Sequence, residues 1–394
     1  MCFISLKVNQ LENNRLHIVA FDIPYPADYG GVMDIFYKVK ALSEAGYLIT
    51  LHCFQYRERT PQAELEKYCT QVHYYKRSFS PLRMLSLKPF IVQSRTDFKL
   101  LKNLKLDDAP ILFEGLHTCA FIQKRALKNR QKIIRMHNTE WQYYLNLIKT
   151  ESKLLKKLYF KLESWKLRRF EKKVLPYADT ILPISPDDRD YFAELLENIG
   201  LTQTQVVYVP PFHPNDAVES RTGTGEYVLF HGKLSVSDNE EAAIYLIDRI
   251  FSKQEIPLFI AGKNPSDRLI EKARRYEHIK IMSNPNEAAM TDLIQNAQIN
   301  VLLSFQKAGM KLKLLNALYR GRHCIVNRHM INNTGLESLC YVKNTSKDIR
   351  TTLESLMNVQ FSPRQIAERR VILENSFSNK ESAAKIISVL NNRT

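Results

Sequence analysis

Glycine and proline are scarce in this 394-residue chain, at 12 and 16 residues. Collagen-like and low-complexity architectures are thereby excluded. No apolar run approaches the ~18 residues of a membrane span. Met1–Leu6 turns polar before a secretory core can form, so a cytoplasmic protein is expected, at most peripheral on a membrane face. The six cysteines, Cys2, Cys53, Cys69, Cys119, Cys324 and Cys340, form no C-x-x-C pair, and reduced core thiols are expected. G-x-G-x-x-G is absent, which removes the main support for a nicotinamide or flavin oxidoreductase. No helix-turn-helix, zinc-finger, RRM or KH pattern is present, which speaks against a nucleic-acid partner. No histidine cluster suggests a metal site, and none is expected.

The composition is globular, with 44% hydrophobic and 25% charged residues, and the length asks for two domains. The net charge is +16, which calls for an anionic partner. The excess is regional: residues 76–177 hold 24 Lys/Arg against 8 Asp/Glu, and 178–220 hold 1 against 8. The densest part, Lys149–Lys173, places Leu155, Leu158, Leu162 and Trp165 at helical spacing. It reads as one long amphipathic helix. Either its apolar stripe packs on the domain and its basic face is solvated, or the basic face meets anionic phospholipid.

Short apolar runs alternate with helical stretches, which means parallel sheets covered by helices. The expected strands are 16–21, 48–54, 111–113, 133–136 and 180–184, then 227–231, 258–261, 279–282, 300–303 and 324–327. A helix is expected over 32–45. The Pro- and Gly-containing stretch Pro210–Glu226 reads as the linker.

Four motifs sit at strand ends, where such sheets present ligands. PYPADYGG carries Gly30 and Gly31 before a helix, with Asp28 and Tyr29 beside them; it is a ligand loop or an ordinary turn. IIRMHNTEW presents His137, Asn138 and Glu140, and FEGLHT presents Glu114 and His117; either histidine is functional or a satisfied structural one. FHGKLSVSDN offers Gly232 for close approach and Lys233 as a fixed charge. FQKAGMKLKLLNALYRG places Gly309, Lys311 and Lys313 at a helix start. Two lysines there oppose the helix dipole unless an anion offsets them.

These motifs, in this order and over nearly the whole chain, resemble the GT-B glycosyltransferases. The likeness is to the retaining family-four (group 1) enzymes of bacterial surface-polysaccharide synthesis. The resemblance implies an α/β fold of two Rossmann-like domains whose parallel sheets face each other across a cleft. Residues 1–212 would form the acceptor domain and 226–377 the donor domain, with a helix over 378–394 crossing back to the first. It implies that Gly30 and Gly31 lie against donor or acceptor, that His137 lines the sugar site, and that Gly232 and Lys233 bind the donor diphosphate. Gly309, Lys311, Lys313 and Asn316 would complete the donor site, with Asp28, Tyr29, Glu114, Asn138 and Glu140 at the acceptor or sugar. Catalysis would rest on His137, Lys233 and Lys311. The family's two glutamates are replaced by Gln306 and Asn316, while GMKLK resembles the subset with Gly-Ile-Lys-x-Lys. The second basic residue usual after Gly-Lys is missing, and Lys311 or Lys313 would substitute for it.

The implied activity is transfer of a hexose from a nucleotide diphosphate sugar to a saccharide or lipid-linked acceptor. Retention of configuration, no cofactor and no metal are expected. Peripheral membrane attachment would use the basic helix 149–173. A nucleotide-sugar epimerase of the same fold, and a catalytically degenerate sugar-nucleotide-binding protein, are the alternatives.

Overall fold

The computed structural model describes residues 14–56, 58–80, 86–151, 153–305 and 312–392. The chain forms two compact units, Met1–Pro214 with Asn379–Thr394, and Asn215–Ser378. Each is built on a parallel sheet.

The first sheet has seven strands: β1 (Arg15–Ala20), β2 (Leu48–Gln55), β3 (Gln71–Lys76), β4 (Ile111–Glu114), β5 (Lys132–Met136), β6 (Thr180–Pro183) and β7 (Gln205–Val206). Their order is β3-β2-β1-β4-β5-β6-β7. β1 pairs with β2 from Arg15 opposite Leu48, and with β4 from His17 opposite Ile111. The strand order therefore reverses at β1, and the carboxyl ends of β1 and β4 flank the switch point where ligands enter such sheets. β4 and β6 are buried at every position, as strands covered on both faces must be. β3 and β7 escape the sequence pattern because β3 is aromatic and half polar and β7 has two residues.

The second sheet has β8 (Val228–His231), β9 (Leu258–Gly262), β10 (Ile279–Ser283), β11 (Ile299–Leu302), β12 (His323–Val326) and β13 (Tyr341–Val342). Their order is β10-β9-β8-β11-β12-β13. The switch point here lies between β8 and β11.

The C-terminal helix Asn379–Asn391 belongs to the first unit. Ala383, Ile386, Val389 and Leu390 join the core formed with Ile35, Val39 and Leu42 of the helix Gly30–Glu44. Asn379 anchors its start, accepting from His213 N at 3.1 Å and donating to His213 O at 2.7 Å.

The division between the two units, Pro214/Asn215, falls within the linker stretch Pro210–Glu226, which is tied down on each side: Phe212 N donates to Asp34 Oδ1 at 2.8 Å, Glu219 N to Tyr319 O at 2.7 Å, and Gly223 bridges Phe361. Its polar composition is satisfied by specific partners in each unit. One expectation is corrected. Lys149–Lys173 is not one helix. Glu140–Thr150 ends, and Leu154–Val174 begins after Glu151 and Lys153 in extended backbone, where the Glu151 carboxylate accepts from Lys153 N at 3.0 Å. The stripe of Leu155, Leu158, Leu162 and Trp165 is exposed rather than packed.

Candidate active site

In the first unit, the carboxyl end of β5 delivers His137, which is buried against the edge of Phe21 with ring centroids 5.3 Å apart. Its Nε2 lies 2.9 Å from Glu114 Oε2. Glu114 ends β4 and is fully buried; Lys38 Nζ donates to that same oxygen at 3.0 Å and stands 2.8 Å from the other. Lys38 also donates to Asp34 at 2.9 Å, and Arg135 grips both Asp34 oxygens at 2.8 and 3.1 Å. Burial opposes ionisation of Asp34, but the Arg135 guanidinium and Lys38 ammonium outweigh it and hold its carboxyl well below the usual range. Asp34, Glu114 and His137 bring ligand atoms within 4.8 Å of one another. Two cations already neutralise those two carboxylates, so the charge balance of this cluster disfavours a divalent ion.

Glu140 opens the helix after β5 and is buried. Burial, then the Glu171 and Asp188 carboxylates, push it up to about 8. It is held as a neutral acid near neutral pH, with Oε1 3.9 Å from His117 Nδ1. Asn138 lies half-buried between His137 and Glu140. At the β1 end, Asp28 pairs with Arg59, and Tyr29 O–H donates to Asp22 at 2.8 Å. Gly30 and Gly31 open the first helix with no left-handed backbone. Gly31 is there for packing: a Cβ would sit 2.7 Å from Phe21 Cζ.

In the second unit, β8 ends at His231 and is followed by Gly232 and Lys233. Gly232 O lies where a Cβ on Gly262, the last residue of β9, would be 1.8 Å away. Two strand ends thus approach with no side chain between them. The helix Leu312–Arg320 sends Lys313 back to this point. Its Nζ donates to Asn239 Oδ1 at 2.7 Å and stands 5.1 Å over the Phe230 ring. Asn239 in turn donates to Lys233 O at 3.0 Å. His231 beneath is buried, and burial, then Lys313, push it down to about 3. Beside it, Asp238 accepts from Ser304 Oγ and from Phe305 N, each at 2.8 Å, which ties the β11 end to the helix after β8. Gly232, Lys233, Asn239, Lys313 and Ser304 therefore gather at the β8/β11 switch point. A glycine turn, the Lys313 ammonium and the Asn239 amide there suit an anionic, phosphate-bearing ligand.

Residues 225–358 match the family model described as glycosyl transferases group 1. An uncharacterized 44.6 kDa protein in the cps region of Klebsiella pneumoniae is 27% identical over 77% of this chain and 80% of its own. Among solved structures, sucrose-phosphate synthase from Thermosynechococcus elongatus superposes with TM-score 0.65 at 14% identity, covering 96% of this chain and 98% of its own. The Anabaena protein Alr3699/HepE, solved with UDP and glucose, gives 0.63 at 10% identity over 96% and 100%. The chain has the GT-B fold, and its residues 225–358 carry a group 1 glycosyltransferase domain.

In this GT-B chain the sequence-expected residues fall into two groups, one in each unit. His137 and Glu114 meet directly, Glu140 faces His117 instead, and Asp28 and Tyr29 are engaged by Arg59 and Asp22. Gly232, Lys233 and Lys313 meet in the group 1 domain. Asn316 accepts from Asn215 Nδ2 at 2.9 Å. Gln306, Gly309 and Lys311 lie outside the described residues. Sequence reasoning missed Asp34, Lys38 and Arg135. Their signal was there: Asp34 and Lys38 fall on the apolar face of the first helix, and Arg135 interrupts an apolar strand. It also missed Asn239 as the bond between the two lysine-bearing segments.

Proposed function

We propose that this glycosyltransferase moves a hexose from a nucleotide diphosphate sugar to a saccharide or lipid-linked acceptor, with retention of configuration. The observation that carries the reading is Lys313 reaching the Gly232–Lys233 turn through Asn239. It concentrates fixed positive charge at the switch point of the group 1 domain. A solved neighbour that holds UDP and glucose and a relative from a cps region support a nucleotide-sugar donor and a surface-glycan product.

In this reading the bond between the anomeric carbon and the diphosphate breaks, and the diphosphate gains charge as it leaves. Lys233 and Lys313, joined by Lys311, stabilise that charge without needing to move, which is where electrostatic catalysis is most effective. The acceptor hydroxyl attacks from the face the diphosphate leaves, and the departing phosphate oxygen takes its proton. No carboxylate base and no cofactor or metal is then required. We place the enzyme in the cytoplasm, peripheral on the inner membrane face.

Calorimetric titration with UDP-, GDP- and ADP-sugars tests the donor. One of them should bind the wild type, and Lys233→Ala should weaken it by about 1.5–3 kcal/mol, the range for a charge-assisted hydrogen bond. No binding by any donor sinks the reading. Donor turnover without acceptor would instead identify an epimerase, and binding with no turnover and no hydrolysis a degenerate binder.

A further inference from the structure

The helix Leu154–Val174 carries its apolar ridge on the side away from its unit. Leu154, Leu155, Leu158, Leu162 and Trp165 are exposed by 80, 84, 65, 46 and 50%. The buried side is the more polar one: Glu163, Ser164, Lys166 and Glu171, with Leu167, Phe170 and Val174 between them. Both acids of the helix are used inward. Glu163 accepts from Phe90 N at 2.6 Å and from Lys166 Nζ at 2.9 Å, and Glu171 accepts from Tyr191 O–H at 2.6 Å. What remains exposed on the helix is the apolar ridge and Lys156, Lys161, Arg168, Arg169, Lys172 and Lys173, with no acid among them. The Arg169 guanidinium stands 5.8 Å over the Trp165 ring, setting a cation at the edge of the ridge.

A solvated helix turns its polar side to water, and a contiguous exposed apolar surface marks an interaction site. We infer that this face docks on an anionic phospholipid surface. The leucines and Trp165 enter the boundary between headgroups and acyl chains, and the flanking lysines and arginines meet headgroup phosphates. Charge decides the occupant. A second copy would bring the same cations against this face, where Glu151 offsets only Lys156, at 3.4 Å, and like charges across a symmetric contact repel. Among the described residues no helix is long and apolar enough to cross a membrane, so the contact argued here is peripheral. The inference takes its purpose from the proposed lipid-linked acceptor, but its evidence is this surface alone.

The test is co-sedimentation of the full chain with phosphatidylglycerol vesicles and with phosphatidylcholine vesicles, at low and high salt. Each sample is also titrated with the donor sugar. Binding to the anionic vesicles is expected, weakened at least about tenfold in neutral vesicles or high salt. The triple variant L155D/L158D/L162D should lose it while keeping its circular dichroism and donor affinity. The variant K156Q/K161Q/K172Q/K173Q should weaken it and flatten its salt dependence. Equal recovery in the supernatant under all conditions overturns the inference. So does a wild type that is a dimer, made monomeric by the triple leucine variant, with no vesicle binding; that outcome assigns the ridge to a second copy. Donor binding without vesicle binding leaves the proposed transfer standing. Vesicle binding without donor binding leaves the docking face standing and removes the transfer.

Discussion

His137 Nε2 and Lys38 Nζ converge on the same oxygen of Glu114, at 2.9 and 3.0 Å. One buried carboxylate thus joins the histidine at the end of β5 to a lysine of the first helix. Lys38 and Arg135 balance Asp34 and Glu114 in charge, and the cluster holds His137 in place through Glu114.

Lys38 is the pivot of that balance. Lys38→Met leaves Glu114 buried with His137 alone, and unpairing a buried charge costs about 3–5 kcal/mol. Urea unfolding should show a loss of that size. A loss under about 1 kcal/mol would mean that the carboxylate finds another partner at little cost.

His137→Ala is the milder change, because Glu114 keeps Lys38. One charge-assisted hydrogen bond is lost, about 1.5–3 kcal/mol. Donor affinity by calorimetry should be unchanged, since Gly232 and Lys233 lie in the other unit. Turnover per folded molecule should fall; if it does not, His137 is purely structural.

Glu140 and Glu171 predict an alkaline weakness. Burial is the first cause for both, raising Glu140 to about 8 and Glu171 to about 7. Their folded-state pKa values lie above the ordinary 4.5. Between those values the unfolded chain binds fewer protons than the folded one, so stability falls as pH rises. It is fully present below the ordinary glutamate pKa and is lost as pH rises through the folded values. Unfolding free energies measured across that window should decline for the wild type and decline less for Glu140→Gln. The Gln variant keeps the share of the slope that belongs to Glu171. On the acid side, Asp34 acts in the opposite sense: its depressed pKa stabilises the fold above the ordinary aspartate range, and that support is lost as the carboxylate protonates.

Gly262→Ala tests the closeness of the β8 and β9 ends. The new Cβ would fall 1.8 Å from Gly232 O, so one backbone must move. Overpacking of this kind costs about 1–3 kcal/mol or more. Donor affinity should fall with stability, because the Gly232–Lys233 turn is displaced. A variant with wild-type calorimetry would show that the turn does not touch the donor.

Lys313→Met should weaken donor binding as Lys233→Ala does, and the double variant should lose less than the sum of the two. Groups that share one partner network do not contribute independently, and Asn239 bonds to both segments. Strict additivity by calorimetry would separate the two lysines into different subsites.

The strand cores and the turns that follow them were legible in the amino-acid sequence alone. Runs such as Leu16–Ala20 and Val228–Phe230 are buried on both faces, so hydrophobicity marks them without reference to neighbours. A Gly-Lys pair directly after such a run could be placed at a strand end by counting. Three things were decided only in tertiary structure. The pairing of Arg135 with Asp34 and of Lys38 with Glu114 joins residues 101 and 76 positions apart, and no local pattern encodes such partners. The Lys313 and Lys233 segments are joined through Asn239, a link no local pattern marks. The direction of the Leu154–Val174 helix was the largest surprise. Its periodicity states that Leu155, Leu158, Leu162 and Trp165 share a face, and nothing in periodicity states what that face meets. Phe90 N and Lys166 engage Glu163 from the inside, and Tyr191 engages one oxygen of Glu171. The helix can therefore bury its acids and leave its leucines outward, because hydrogen bonds from neighbouring elements make the polar side the one that packs.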